Sequence, residues 1–268
     1  MSEEEIEVKF SLLKSEDLPN HIAIIPNGHR TWARKHGKTA TEAHTVGMEI
    51  LIDLSRFLRE LGIHTVSVWA MSTENFKKRS EAEVKGLMGL LKLALNKWAL
   101  EFYDEGARIV HLGRKDHMPK ELSELLSNWE EKSQSNNKFC ANIAFDYGGH
   151  DELLRAMRKA FEEIQKGKIV FEDLLKEVGL YHGKYPYLKF KDYLDTGDQP
   201  YPFPDLIVRT SGELRLSGFM PWQSVYSEIC SVPELMPEFT RATLKRALVD
   251  YASRKRTFGG NSNGTQLK

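Results

Sequence analysis

The stretch Pro204-Asp-Leu-Ile-Val-Arg-Thr-Ser-Gly-Glu-Leu-Arg-Leu-Ser-Gly-Phe219 runs an apolar segment, Leu206-Ile207-Val208, straight into Arg209. A short apolar run bounded by turn residues reads as a buried strand of a parallel sheet. Residues 209–218 then read as a loop at that sheet's C-terminal edge. Arg209 and Arg215 bracket Thr-Ser-Gly-Glu, and Ser217 and Gly218 come next. Two guanidinium forks, a hydroxyl and a Gly-flanked backbone suit a diphosphate. The competing reading is an ordinary strand-loop with two solvated arginines.

The same grammar recurs outward from this stretch. His21-Ile-Ala-Ile-Ile25 is an apolar run closed by Pro26-Asn27-Gly28. Residues 64–70, 107–112, 139–145 and 227–232 read as four more strands. Helical spacing of apolar residues lies between them: a helix starting near Thr31, then 47–61, 81–105, 119–134, 151–166, a short one over 171–178, and 240–253. Alternation of strands and helices predicts an α/β fold, with a central, mostly parallel six-stranded sheet covered by helices. Residues 21–260 are expected to form one domain, with an extension over 1–20 and a flexible tail over 261–268. Residues 181–204, rich in Tyr, Pro, Lys and Asp, read as an excursion loop.

Composition narrows the function. The 268 residues are 41% apolar and carry 38 basic against 38 acidic side chains. That balance argues against a general nucleic-acid binder, which needs net positive charge or a basic face. Cys140 and Cys230 sit in apolar contexts without metal-ligand spacing, as buried thiols in a reducing compartment do. The N-terminus carries Glu3-Glu4-Glu5 and lacks the apolar core of a signal peptide. No apolar run approaches the ~20 residues of a membrane span. These features predict a soluble, cytoplasmic protein.

Ligands of open α/β sheets collect beyond the C-terminal ends of the strands. Four segments are expected there. Asn27-Gly28-His29-Arg30 comes after the first strand, and Met71-Ser-Thr-Glu-Asn-Phe-Lys-Lys-Arg79 after the second. Asp146-Tyr-Gly-Gly-His150 comes after the fourth, and the arginine loop after the fifth. Gly28 lets the backbone approach an anion, and the helix after it offers free N–H groups. Each segment alone also reads as a plain turn, and Arg254-Lys-Arg-Thr-Phe-Gly-Gly260 as a solvated basic run. Their convergence on one sheet edge is what points to a site.

Together these segments resemble the cis-prenyltransferases, the undecaprenyl diphosphate synthase family, from about His21 to Gly260. The resemblance is carried by the segment from His21 through Asn27-Gly-His-Arg-Thr-Trp-Ala33, by His44, and by Ser72-Thr-Glu-Asn-Phe76. Asn142-Ile-Ala-Phe-Asp-Tyr-Gly-Gly149, Ile207 through Ser217, Trp222-Gln-Ser-Val-Tyr-Ser-Glu228 and Arg256-Thr-Phe-Gly-Gly260 complete it. It implies a prenyltransferase that couples an allylic diphosphate to isopentenyl diphosphate, as a homodimer or heterodimer, with Mg²⁺ as cofactor and a hydrophobic tunnel for the chain. By that resemblance Arg209, Arg215 and Ser217 hold the isopentenyl diphosphate. Arg256, Gly259 and Gly260 reach the same diphosphate across the dimer, Glu228 helps hold Mg²⁺, and Ser72 and Asn75 assist the proton loss. Gly28, His29, Arg30, Trp32, His44, Thr73, Glu74, Phe76 and Arg79 complete the expected substrate site. Contact with a membrane stays open, because a lipid product must reach a bilayer and no amphipathic anchor is evident.

The donor half departs from the family pattern. Asn27-Gly28-His29 stands where the family has Asp-Gly-Asn, and that Asp carries the Mg²⁺ of the allylic diphosphate. The Asn27 amide offers a metal only a weak, uncharged oxygen. Thr31 and Ala40 stand where arginines are usual. Lys77-Lys78-Arg79 carries one extra residue, which leaves open whether Lys78 or Arg79 replaces the family's arginine. Three readings are open: an active enzyme with an altered donor site, coupling to isopentenyl diphosphate or to a second allylic unit as the cyclolavandulyl diphosphate synthases do; a silent partner subunit of a heteromeric enzyme; or an engineered Asp→Asn inactive form. The helix from Glu81 shows no insertion before Gly113, which in this family goes with a short or medium product. Residues 181–188 look like an added loop of no assigned function.

Overall fold

A computed structural model describes residues 2–258. Among them eight strands succeed one another as β1 (His21–Ile25), β2 (Thr65–Ser72), β3 (Ala107–Leu112), β4 (Phe139–Tyr147), β5 (Glu177–Tyr181), β6 (Tyr185–Leu188), β7 (Leu206–Arg209) and β8 (Glu228–Ser231). Six of them form one sheet in the order β3-β4-β2-β1-β7-β8, every pair parallel. These are the six strands expected from the sequence. The register aligns Ile25, Arg209 and Ser231 at one edge, and Ile22, Leu206 and Glu228 three residues earlier.

The helices are α1 (Glu3–Ser11), α2 (His29–Lys35), α3 (Ala40–Glu60), α4 (Thr73–Lys78), α5 (Glu81–Asp104), α6 (Lys120–Ser133), α7 (Gly149–Gln165) and α8 (Arg241–Ser253). Leu54 and Leu58 of α3 and Leu244 and Leu248 of α8 pack with Ile22, Ile24 and Val66 of the sheet. Leu91 and Leu95 of α5 and Leu126 of α6 pack with Met71 and Ile109. Burying such side chains stabilises the fold by about 1.5–3 kcal/mol each.

Three expectations are corrected. Helix α3 begins at Ala40, not at Gly47, because Thr39 and Glu42 cap it reciprocally and the polar first turns lie outside the apolar stripe. Residues 171–178 are not a helix. A 3-10 turn over Phe171–Leu175 gives way to β5, which pairs antiparallel with β6 in a hairpin whose turn places His182 at φ +50°. The excursion expected over 181–204 therefore opens as a strand pair. The N-terminal extension also folds. Its three glutamates are the first turn of α1, where acidic groups are favoured, and Lys245 of α8 pairs with Glu7 at 2.7 Å. Among the described residues no helix is long and apolar enough to cross a membrane.

Candidate functional site

Contacts between loops bring the four predicted strand-end segments together. Asn27 after β1 is tied to the β7 loop by Thr210, whose Oγ1 accepts the Asn27 N–H at 2.7 Å and donates to the Asn27 carbonyl at 2.8 Å. Gly149 after β4 donates its N–H to the Gly218 carbonyl of the arginine loop at 2.9 Å. A Cβ there would lie 2.5 Å from the same oxygen, so only glycine admits this approach. Gly148 sits against Thr73 and Glu74 of α4. Gly28 has φ +96°, and a Cβ on it would lie 2.7 Å from Leu235 Cδ2.

The arginine loop is built around Arg209, which is only 6% exposed. Its Nη1 donates to Ser217 Oγ at 3.0 Å and to the Arg215 carbonyl. Burial, then the neighbouring Arg215 charge, lowers the Arg209 pKa. Ser211, Gly212, Ser217, Gly218 and Met220 all have positive φ, so the loop is tightly coiled. Arg215 is exposed and pairs with Glu213.

Beyond the Asn27 loop, His29 and His44 stack with centroids 4.3 Å apart. Gly47 of α3 makes room for this, since a Cβ there would collide with His29 Nε2. Arg30 and Arg79 both hold Glu83, at 2.8 and 3.0 Å. Arg79 Nη1 also lies 3.5 Å from His44 Nε2. Lys78 is exposed, so Arg79 is the residue of the basic run that enters the site. Arg30, Arg34 and Lys38 line a second, basic cleft beside Ala40. Ser72 caps α4, its Oγ accepting the Asn75 N–H at 3.0 Å. Phe76 packs into the α5–α6 core, and Trp32 stacks on His36 at 4.4 Å.

Below the histidines lies an apolar cavity of about 180 Å³ between α3, α5 and the sheet. Pro26, His29 and His44 stand at the end near the loops, and Trp98 and Phe102 line it near the start of β2. It lies along the sheet as the expected tunnel would, and it is small.

Orphan donors mark the polar parts. The Nε of Arg79, of Arg209 and of Arg256 are each buried without a hydrogen-bond partner. Buried N–H groups are rarely left so, and an oxyanion would satisfy them.

Other predicted residues lie elsewhere. Glu228 pairs with Leu206, about 10 Å of strand away from the level of Arg209, and binds Arg254 at 2.7 Å. Arg256 folds back on its own chain: it donates to Tyr251 Oη at 2.8 Å, Tyr181 Oη at 3.0 Å and Asp205 Oδ1 at 3.2 Å. Gly259 and Gly260 lie outside the described residues. One chain thus does not join Glu228 to Asn27. Among the described residues no group of three or more His, Cys, Asp or Glu suits a metal ion. An amide and a carboxylate on opposite sheet edges do not fit a protein-held Mg²⁺.

Sequence reading missed Thr210, the His29–His44 stack, and Glu83. It also missed His117, which lies 2.7 Å from buried Asp146 Oδ2 and against the Phe76 ring. Only Glu83 had a local signal, the Ser-x-x-Glu spelling that begins a helix.

Burial lowers His21 from 6.5 to about 4, His29 to about 3 and His44 to about 4, and it also lowers His64 and His111. His44 and Arg79 add to the effect on His29, and Arg79 to that on His44. Unfolded rings take up protons near pH 6.5 and the folded ones do not. Stability present above pH 6.5 is therefore lost as pH falls, by about 1.4 kcal/mol per unit for each ring. The urea midpoint should drop clearly between pH 7.5 and pH 5; a flat profile would show that the rings titrate normally.

Comparison with known proteins agrees with this geometry. Residues 25–259 match the family described as "Putative undecaprenyl diphosphate synthase". An isoprenyl transferase of Rhizobium meliloti is 37% identical over 93% of this chain and 95% of its own. A geranylgeranyl-diphosphate-specific tritrans,polycis-undecaprenyl-diphosphate synthase of Methanocaldococcus jannaschii is also 37% identical, over 92% and 85%. The crystal structure of lavandulyl diphosphate synthase from Lavandula x intermedia, in complex with dimethylallyl diphosphate, superposes with a TM-score of 0.82 at 33% identity, covering 91% of this chain and all of that one. With the arginine loop and the basic pocket on one sheet edge and the apolar cavity running from it, the chain belongs to the undecaprenyl diphosphate synthase family and is an isoprenyl transferase.

Proposed function

We propose that the enzyme couples a short allylic diphosphate to isopentenyl diphosphate, or to a second allylic diphosphate, and releases a short prenyl diphosphate. The observation that carries this reading is the cavity. It is about 180 Å³ and almost wholly apolar, and the stacked histidines stand at one end beside Arg79. A cavity of about 150 Å³ takes one benzene, so this one suits one or two C5 units. The likeness to lavandulyl diphosphate synthase supports an allylic acceptor as the second variant.

In this reading the allylic tail lies in the cavity with its diphosphate on Arg30 and Arg79. The C1–O electron pair leaves with the diphosphate, whose growing charge those guanidinium groups neutralise. Arg209, Arg215 and Ser217 hold the acceptor so that its double bond attacks C1. The resulting cation loses a proton to a diphosphate oxygen, and the C–H electron pair becomes the new double bond. Ser72 and Asn75 assist that loss, with the Ser72 hydroxyl oriented by the Asn75 N–H. Neutral His29 and His44 add no charge that would repel the cation. Mg²⁺ remains part of the family expectation, and no step is assigned to it.

Incubation of the protein with dimethylallyl, geranyl or farnesyl diphosphate, plus labelled isopentenyl diphosphate and Mg²⁺, tests the reading. Product of C10 to C15 length is expected. No coupled product from any donor, with isopentenyl or dimethylallyl diphosphate as acceptor, would sink it.

A homodimer is part of the same proposal. Leu154, Met157 and Phe161 form a stripe on α7 and are each more than half exposed. Such a stripe suits a protein interface. Leu154→Asp with Phe161→Asp should give a monomer by light scattering; an unchanged mass would place the interface elsewhere.

A further inference from the structure

Glu83 has no part in the reaction above, yet among the described residues it is the acid paired with both donor-side guanidinium groups. Arg30 Nε donates to Oε1 at 3.2 Å, and Nη2 donates to Oε1 at 3.0 Å and to Oε2 at 2.8 Å. Arg79 Nη1 lies 3.0 Å from the same Oε1. His44 Nε2 stands 3.9 Å away and is neutral, its pKa lowered to about 4 by burial and by Arg79.

Glu83 is also the third residue of α5, behind the N-cap Ser80. In a capping box the N-cap hydroxyl accepts the third N–H, and the third carboxylate accepts the N-cap N–H. Two helices of this chain close both halves. Ser2 and Glu5 do so on α1, and on α3 Glu42 accepts the Thr39 N–H at 2.9 Å. On α5 one half is made. The Glu83 N–H donates to Ser80 Oγ at 3.3 Å, while the carboxylate is turned to the arginines.

We propose that Glu83 is a displaceable counter-ion with two positions: the allylic diphosphate takes Arg30 and Arg79 from it, and its carboxylate swings back to close the capping box on Ser80. This rests on the donor-site reading above. Half-buried Arg79 is costly without an anion, and Glu83 keeps it paired between turnovers. A diphosphate brings more charge and more oxygens than a carboxylate and wins the forks. The released carboxylate lands on a free N–H at the positive end of a helix dipole, which offsets the loss. A weaker anion must displace the same carboxylate with less to offer. The displacement cost is the same for every anion that takes both arginines, so Glu83 lowers the affinity of each by one factor and leaves their ratio unchanged.

The test uses dimethylallyl S-thiolodiphosphate, an unreactive donor analogue, and Glu83→Gln. Glutamine still caps the helix but carries no charge. Both proteins also carry Arg209→Ala, to silence the acceptor loop. By calorimetry, in Mg²⁺ and in EDTA, Glu83→Gln should bind the analogue about fivefold to tenfold more tightly, the worth of one charge-assisted pair. Dimethylallyl monophosphate, taking the same two arginines, should gain by the same factor. In the protein with Glu83 intact, hydrogen exchange at the Ser80 amide should slow when the analogue binds, a readout that does not depend on the variant folding. Binding by both proteins with no gain in Glu83→Gln and no change at Ser80 overturns the counter-ion role alone. No binding by either overturns the donor-site reading and this inference with it.

Discussion

Arg209→Ala is expected to lower kcat/KM for the acceptor about 10³-fold. Two charge-assisted hydrogen bonds to a diphosphate, at about 2 kcal/mol each, come to about 4 kcal/mol, which is a factor near 10³. Arg209 is the last residue of β7 and is nearly sealed from solvent, so a diphosphate meets a guanidinium already fixed in place. Its Nη1 also pins Ser217 and the Arg215 carbonyl, so the loss extends to the shape of the loop. The fall should appear in the acceptor's KM and in kcat, while donor-analogue binding is spared. Arg209→Lys should recover part of the rate, since it keeps the charge but not the fork. Steady-state kinetics on both variants, with circular dichroism as a folding control, decides it. A rate for Arg209→Ala within tenfold of the parent would remove the loop from the acceptor site.

Much of this was legible in the chain. All six sheet strands are apolar runs closed by turn residues, and their order can be inferred from the β–α alternation only as far as "parallel". The arginine loop was readable because its residues are local: one strand end and ten residues of loop supply Arg209, Arg215 and Ser217. The pocket around Arg79 was not, because its parts come from α2, α3, the α4–α5 turn and the start of α5. Whether Lys78 or Arg79 enters the site depends on which side of a single turn faces α3, and no pattern over three basic residues fixes that.

Two residues of the expected site lie away from the four loops, and their place was legible. Glu228 was assigned to a metal by resemblance, yet it stands at the start of a predicted strand. In a parallel sheet strand starts lie at the edge opposite the ligands. Arg256 comes after α8 and meets Asp205, the residue before β7, at that same edge. Within one chain both belong to a polar cluster with Tyr181 and Arg254, and their part in a diphosphate site depends on a second subunit. The β5–β6 hairpin was missed because Gly179, Gly183 and Pro186 break its alternation, and its exposed face gives no burial pattern.

Trp98→Ala is expected to lengthen the product by at least one C5 unit. Trp98 lies about 22 Å along α5 from Glu83 at 1.5 Å per residue. It is 8% exposed and lines the cavity with Phe102 where β2 begins. An allylic tail anchored at Arg79 grows toward these rings and stops when it meets them. The indole is bulkier than a benzene ring, which fills about 150 Å³, so its removal nearly doubles the room. The added space is apolar, so it favours hydrocarbon over water. Trp→Ala costs about 3–5 kcal/mol of stability, and Trp98→Leu provides a milder step in the same direction. Product chains from both, extracted and sized by mass spectrometry after incubation with labelled isopentenyl diphosphate, should lengthen in the order parent, leucine, alanine. The initial rate with the first donor should change little, since the diphosphate site is at the other end of the cavity. An unchanged product from a folded Trp98→Ala would mean that the chain grows along another path and that the cavity is not its tunnel.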